Sequence, residues 1–133
     1  VDLMWEQKFG TLVPNFQVGY VNHNNWKGVK DNDISGWLVQ GQLLYDQNVW
    51  IGKPAFVVRY ARTDYDKMYY GRDGTLTTWG VGINYFIKGP ENRISLAVDV
   101  VDPDGDIQKL AKEHGTNIKG SWTDITLSIY YNF

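Results

Sequence analysis

The sequence predicts an all-β protein, a run of strands from an antiparallel transmembrane β-barrel, and three observations predict it. The first is the last dozen residues, Trp122 to Phe133, which alternate strictly: Ile125, Leu127, Ile129, Tyr131 and Phe133 share one face, and Asp124, Thr126, Ser128, Tyr130 and Asn132 the other. Successive side chains of a strand point to opposite faces, so this segment has one apolar and one polar wall. Its length is close to the ~9–11 residues that a tilted strand needs to cross a bilayer. The second observation is that the pattern recurs, giving seven strand segments along the chain. The third is the expected sorting of the connections: short turns follow the first, third and fifth strands, and long polar loops follow the second, fourth and sixth. Transmembrane barrels sort their connections in this way, with the short turns on the periplasmic side.

Each strand is justified by its own alternation. Val1, Leu3, Trp5 and Phe9 oppose Asp2, Glu6 and Lys8, and Gly10-Thr11 ends the segment. From Asn15, Phe16, Val18 and Tyr20 oppose Gln17, Gly19 and Val21, before the polar stretch NHNNWKGVKDNDISG. In Trp37 to Asp46, Trp37, Val39, Leu43 and Tyr45 oppose Gln40, Gln42 and Asp46, with Leu38 and Leu44 as exceptions, and QNVWIGKP makes a compact turn. Phe56, Val58 and Tyr60 oppose Arg59, and the loop DYDKMYYGRDGT is expected to follow. Thr77 to Lys88 sets Trp79, Val81, Ile83, Tyr85 and Ile87 against Thr78, Gly80, Gly82, Asn84 and Lys88, and GPEN turns the chain. Ile94, Leu96, Val98 and Val100 then alternate with Arg93, Ser95, Ala97 and Asp99, and a third polar loop is expected from Asp102 to Ser121.

Composition narrows the function classes. A net charge of -2 over 133 residues, with no basic patch, argues against a nucleic-acid partner. With no cysteine, disulfides, thiolate metal sites and cysteine nucleophiles are excluded. No apolar run reaches the ~18 residues of a transmembrane helix. The start VDLMWEQKFG lacks the order of a signal peptide, so an exported form is expected to be processed or truncated. Aromatic residues make up 15% of the chain while its mean hydropathy is negative, which suits a wall apolar only on alternate residues and girdled by aromatics.

Seven antiparallel strands cannot close with every neighbour antiparallel, and hydrocarbon does not tolerate an open edge. Residues 1–133 are therefore expected to be the C-terminal portion of a single, larger barrel domain, paired with the N-terminal strands of the same barrel. The residues expected to line its water-filled interior are Lys8, Gln17, Gln40, Gln42, Arg59, Asn84, Lys88, Arg93, Asp99 and Asp124, with Asp2 and Glu6 beside them. Charged rings set ion selectivity where a channel narrows, and Arg59, central in its strand, is the strongest candidate. Most such charges are expected to be simply solvated, and Lys88 and Arg93, which flank a turn, are expected at the periplasmic mouth.

Other chemistry is weakly signalled. Asp102-Pro-Asp-Gly-Asp106 clusters carboxylates but lacks the remaining ligands of a calcium loop, and an ordinary polar turn is expected there. His23 and His114 lack metal-ligand spacing, so no metal or cofactor is expected. Asp106 to His114 has the pattern for one or two helical turns, with Ile107 and Leu110 together. No nucleophile, base and orienting group stand at a recognisable spacing, so no enzyme is expected.

The segments WLVQGQLLY at 37–45, FVVRYARTD at 56–64, WGVGINYF at 79–86 and ITLSIYYNF at 125–133 resemble the last strands of Gram-negative outer-membrane porins, within them the phosphate-selective porin O/P type. The resemblance covers most of the chain, through short and degenerate motifs. It implies a sixteen- or eighteen-stranded barrel in the bacterial outer membrane, a homotrimer, and contact with membrane lipid. It also implies a terminal strand, ending in Tyr131 and Phe133, that acts as the assembly signal for the barrel-assembly machinery. The family's phosphate-binding residues lie largely outside the matching segments, so none is carried over. The expected function is passive diffusion of small hydrophilic solutes or ions through a channel. A soluble lipocalin-like barrel is the alternative and would need an apolar interior. An outer-membrane barrel hydrolase would need a catalytic constellation.

Overall fold

Among the described residues, seven strands follow one another in space as they do in sequence, in a single antiparallel sheet of order β1-β2-β3-β4-β5-β6-β7. The computed structural model describes residues 1–25, 33–67, 72–89, 91–113, 118 and 120–132, with the backbone alone at 72, 105, 110, 111 and 113. The strands are β1 (Asp2–Glu6), β2 (Leu12–His23), β3 (Asp33–Tyr45), β4 (Lys53–Lys67), β5 (Arg72–Lys88), β6 (Asn92–Gly105) and β7 (Trp122–Tyr130), and a helix α1 (Ile107–Glu113) sits between the last two. Among the described residues no helix is long and apolar enough to cross a membrane, which says nothing of a β-barrel.

The all-β antiparallel architecture agrees with the sequence, and the strand bounds correct it. β1 stops at Glu6: Gln7 still donates to the Pro14 carbonyl, but Pro14 has no N–H to return the bond, and Phe9 and Leu12 close the turn on each other. β2 starts at Leu12 instead of Asn15. The largest correction is at the far end of the sheet. Asp64 to Lys67 and Arg72 to Thr75, expected in a long loop, belong to β4 and β5, and only residues 68–71 separate these strands. Asp102 to Gly105, expected in a polar turn, is the end of β6, with Pro103 paired to Leu76. The long-loop side is therefore built partly of strand that outruns the apolar pattern. The expected helical turns do form, as α1. Residues 26–32, Pro90, His114 and Phe133, on which other expectations fell, lie outside the described residues.

Pairing partners share a face, so the register sorts the whole sheet. On one face, Leu3, Trp5, Phe16, Val18, Val39, Leu43, Phe56, Val58, Val81, Ile83, Leu96, Val98, Ile125, Leu127 and Ile129 form an unbroken apolar field from β1 to β7. It is uncovered: Phe56 is 51% exposed, Ile83 53% and Leu127 66%. Toward the long-loop end the field finishes in a row of aromatics, Tyr20 opposite Trp37 and Tyr60 opposite Trp79, with Trp37 and Tyr60 tilted at a centroid distance of 4.9 Å. Tyr45 and Tyr85 mark the short-turn end. From Trp37 to Tyr45 is eight residues, about 26 Å along the strand at ~3.3 Å each. Beyond the upper aromatics the same face turns polar, where Arg62 bonds Asp64 and Thr75 donates to Asp64 at 2.8 Å.

The sheet has almost no hydrophobic core. Among the described residues the buried apolar side chains are Val13, Ala55 and Val101, all on the opposite, polar face. At the long-loop end, α1 lies against β5 and β6 on that polar face, and Ile107 occupies the space over Gly74 that a side chain there would fill. Asp106 N bonds the Asp73 carbonyl at 3.0 Å and Gln108 bonds the Pro103 carbonyl, which holds the helix start against the sheet.

Candidate functional site

The polar face carries the candidate site, and one cross-strand row forms its centre. Reading the register outward from β2, Gln17 pairs Gln40, Gln40 pairs Arg59, Arg59 pairs Gly80, Gly80 pairs Asp99 and Asp99 pairs Asp124. Five of the residues singled out from the sequence thus stand in one row across six strands, joined through Gly80. Period-two alternation put them on one face, but their being level with one another is a property of register, which turn lengths set.

The row has a bridge at its middle. The Arg59 guanidinium crosses β5 and donates from Nε to Asp99 Oδ1 at 2.7 Å and from Nη2 to Asp99 Oδ2. Asp99 is only 5% exposed, whereas the Arg59 side chain is 43% exposed. Bidentate guanidinium–carboxylate geometry is among the stronger polar contacts available. It is possible here because position 80 has no side chain, since a Cβ would overlap the Asp99 carboxylate. Asp124 stands across from Asp99, exposed, and accepts a hydrogen bond from Trp122 Nε1 at 3.1 Å.

Toward the short-turn end, a second bridge spans β4: Asn84 Nδ2 donates to Gln42 Oε1 at 3.0 Å, above Ala55, which is 2% exposed. Arg93 lies over the Tyr130 ring at 4.3 Å, a cation–π contact, and its Nε and the Ser95 hydroxyl are buried with no hydrogen-bond partner among the described residues. These groups line a trough of about 320 Å³ whose floor is Gly80, Gly82 and Ala97 and whose walls include Gln40, Arg59 and Thr126.

Lys8 and Lys88 are placed differently from the rest. Lys8 follows β1, in the turn, and with Lys53 it clamps Asp46 of the next short turn, Lys53 Nζ standing 2.6 Å from Asp46 Oδ1. These two ammonium groups, Lys53 first, hold the Asp46 carboxyl down at about 2. Lys88 ends β5 beside Gly89, exposed. Tyr131 is exposed beyond β7, and the neighbouring Asn132 ties the tail to the β5–β6 turn through Asn92 Oδ1 at 2.9 Å and Glu91 Oε2 at 3.0 Å. Among the described residues, no three His or acidic side chains converge as a metal site.

Sequence reasoning missed the pairing of Arg59 with Asp99 and the part of Lys53 in the turn clamp. The signal for the first was present in the inward glycine at 80, midway between a basic and an acidic strand. Comparison with protein-family models, with curated proteins and with solved structures finds no match to this chain.

Proposed function

We propose that this sheet is part of the wall of a β-barrel channel in a bacterial outer membrane, through which small hydrophilic solutes or ions diffuse passively. The observation that carries the reading is the sorting of faces by register. An exposed apolar field spans all seven strands between two sets of aromatics, and a bridged polar row crosses the other side. In water, an apolar field of this extent would be an aggregation surface, whereas against hydrocarbon it is the stable arrangement. A ligand-binding barrel of the lipocalin kind inverts the polarity, with its apolar side chains turned inward.

On this reading β1 and β7 are internal strands of a larger barrel, because each has no neighbour on its outer edge among the described residues. Further strands of the same barrel supply the pairing, as the likeness to porin O/P sequences suggests, and that likeness also supports a trimer whose terminal strand is read by the assembly machinery. The test is reconstitution of the complete protein into planar bilayers. Discrete, ohmic conductance steps are expected, and a protein that stays soluble without detergent and gives no steps would overturn the proposal.

A further inference from the structure

Resting on the channel reading, we infer that the middle of the inner wall favours cations and that Asp124 sets this preference. The central row carries one positive and two negative side chains. Arg59 and Asp99 cancel each other, since both guanidinium donors go to the two oxygens of a carboxylate that is all but covered. Two carboxylates facing each other across a strand pair repel. The wall keeps Asp99 beside Asp124 because Arg59 reaches the first of them over Gly80. The Trp122 indole is a neutral donor, so its bond orients Asp124 and leaves the charge in place. One negative charge therefore remains on the row, exposed.

Among the described residues, the other charges on this face do not cancel it. Asp2, opposite Gly19 and nearer the long-loop end, adds to it. Arg93 is six residues from Asp99 along β6, about 20 Å at ~3.3 Å per residue, and Lys88, paired to Asn92, is one residue farther. That is beyond the ~10 Å screening length of 0.1 M salt. Lys8 and Lys53 share Asp46 at the short-turn end, and Glu6 lies beside them, bonded by Asn15. At the long-loop end Lys109 of α1 is paired with Asp106 at 2.6 Å, and Lys112 is exposed on the same helix. The preference is opposite to what an unpaired Arg59 would produce.

The experiment is the reversal potential of the complete protein in planar bilayers under a KCl gradient, at low and at high ionic strength. Asp124→Asn is expected to lower the cation-to-anion permeability ratio about fourfold at low salt, because a unit charge ~8 Å from an ion in water favours a cation about twofold and disfavours an anion about twofold, and less at high salt. Asp124→Glu should restore the ratio, and Thr123→Asn, on the opposite face, should leave it unchanged. Asp99→Asn, which strips Arg59 of its partner, should lower it at least as far. Where that buried variant fails to assemble, exposed Asp124 decides alone. Conductance with an unaltered ratio in Asp124→Asn overturns this inference and spares the channel, whereas no conductance at all overturns both.

Discussion

Position 80 shows how one missing side chain organises the polar face. Gly80 lets the Arg59 guanidinium and the Asp99 carboxylate meet across an intervening strand, and a methyl group there would occupy the carboxylate's place. Gly80→Ala is therefore expected to break the bridge and to destabilise the folded protein by about 1–3 kcal/mol, as overpacking does. Gly41→Ala, whose Cβ would meet only the Val58 side chain at 3.5 Å, is expected to be close to neutral. Thermal unfolding of both variants in detergent checks the pair, and equal midpoints would refute the role of Gly80. A second residue-scale expectation concerns Asp46. Its carboxyl is held at about 2 by Lys53 and Lys8, below the ordinary 3.8. A depressed carboxylate contributes stability that is present above the ordinary value and lost as pH falls through the depressed one. Wild type should therefore lose stability between pH 4 and 2 by a component that Asp46→Asn lacks, and parallel pH profiles would sink the clamp.

For the strands, what could be read from the sequence depended on whether the two faces differ. Between Trp37 and Tyr45 or between Trp79 and Lys88 one face is apolar and the other is not, so period two was visible and Gln17, Gln40, Gln42, Arg59, Asn84, Arg93, Asp99 and Asp124 could be assigned to one side, where the register places them. Beyond the aromatic row the contrast vanishes. Arg62, Asp64 and Asp66 on one face of β4 alternate with Thr63 and Tyr65 on the other, and a strand polar on both sides looks like a loop. Asp102 and Asp104 hid the end of β6 in the same way. Lys8 was legible as polar but not as part of a turn, because only the neighbouring turn explains it. The face assignment has a direct test at this scale. Ile83→Arg or Leu127→Arg should impair assembly by roughly 2–4 kcal/mol if the apolar field meets lipid near the midplane, whereas Gln42→Arg and Ser128→Arg should be tolerated. Folding yields into lipid vesicles give the comparison, and equal tolerance on both faces would refute it.

At the scale of the whole molecule, strand parity limits how this sheet can be completed. β1 and β7 are both odd-numbered members of an antiparallel series, so they run in the same direction. Closing the sheet on itself would join them by a parallel seam, and the five residues of β1 against the nine of β7 would leave backbone donors and acceptors unpaired. Each such group costs several kcal/mol in hydrocarbon. A second copy does not solve the problem either. Joining β7 of one copy to β1 of the next is again parallel, and joining β7 to β7 in antiparallel fashion turns one copy upside down, which on the proposed channel reading puts its long loops on the wrong side of the membrane. An odd number of further antiparallel strands, entering beside β1 and leaving beside β7, removes both seams. A polypeptide of residues 1–133 alone is therefore expected to give no steady conductance in bilayers, while the same residues joined to those strands conduct. Strand pairing can be followed by cysteine pairs, with Leu3 and Val18 linking readily, and Val1 and Tyr130 failing to link in the isolated segment. A compact, closed and conducting barrel made by residues 1–133 alone would sink the idea.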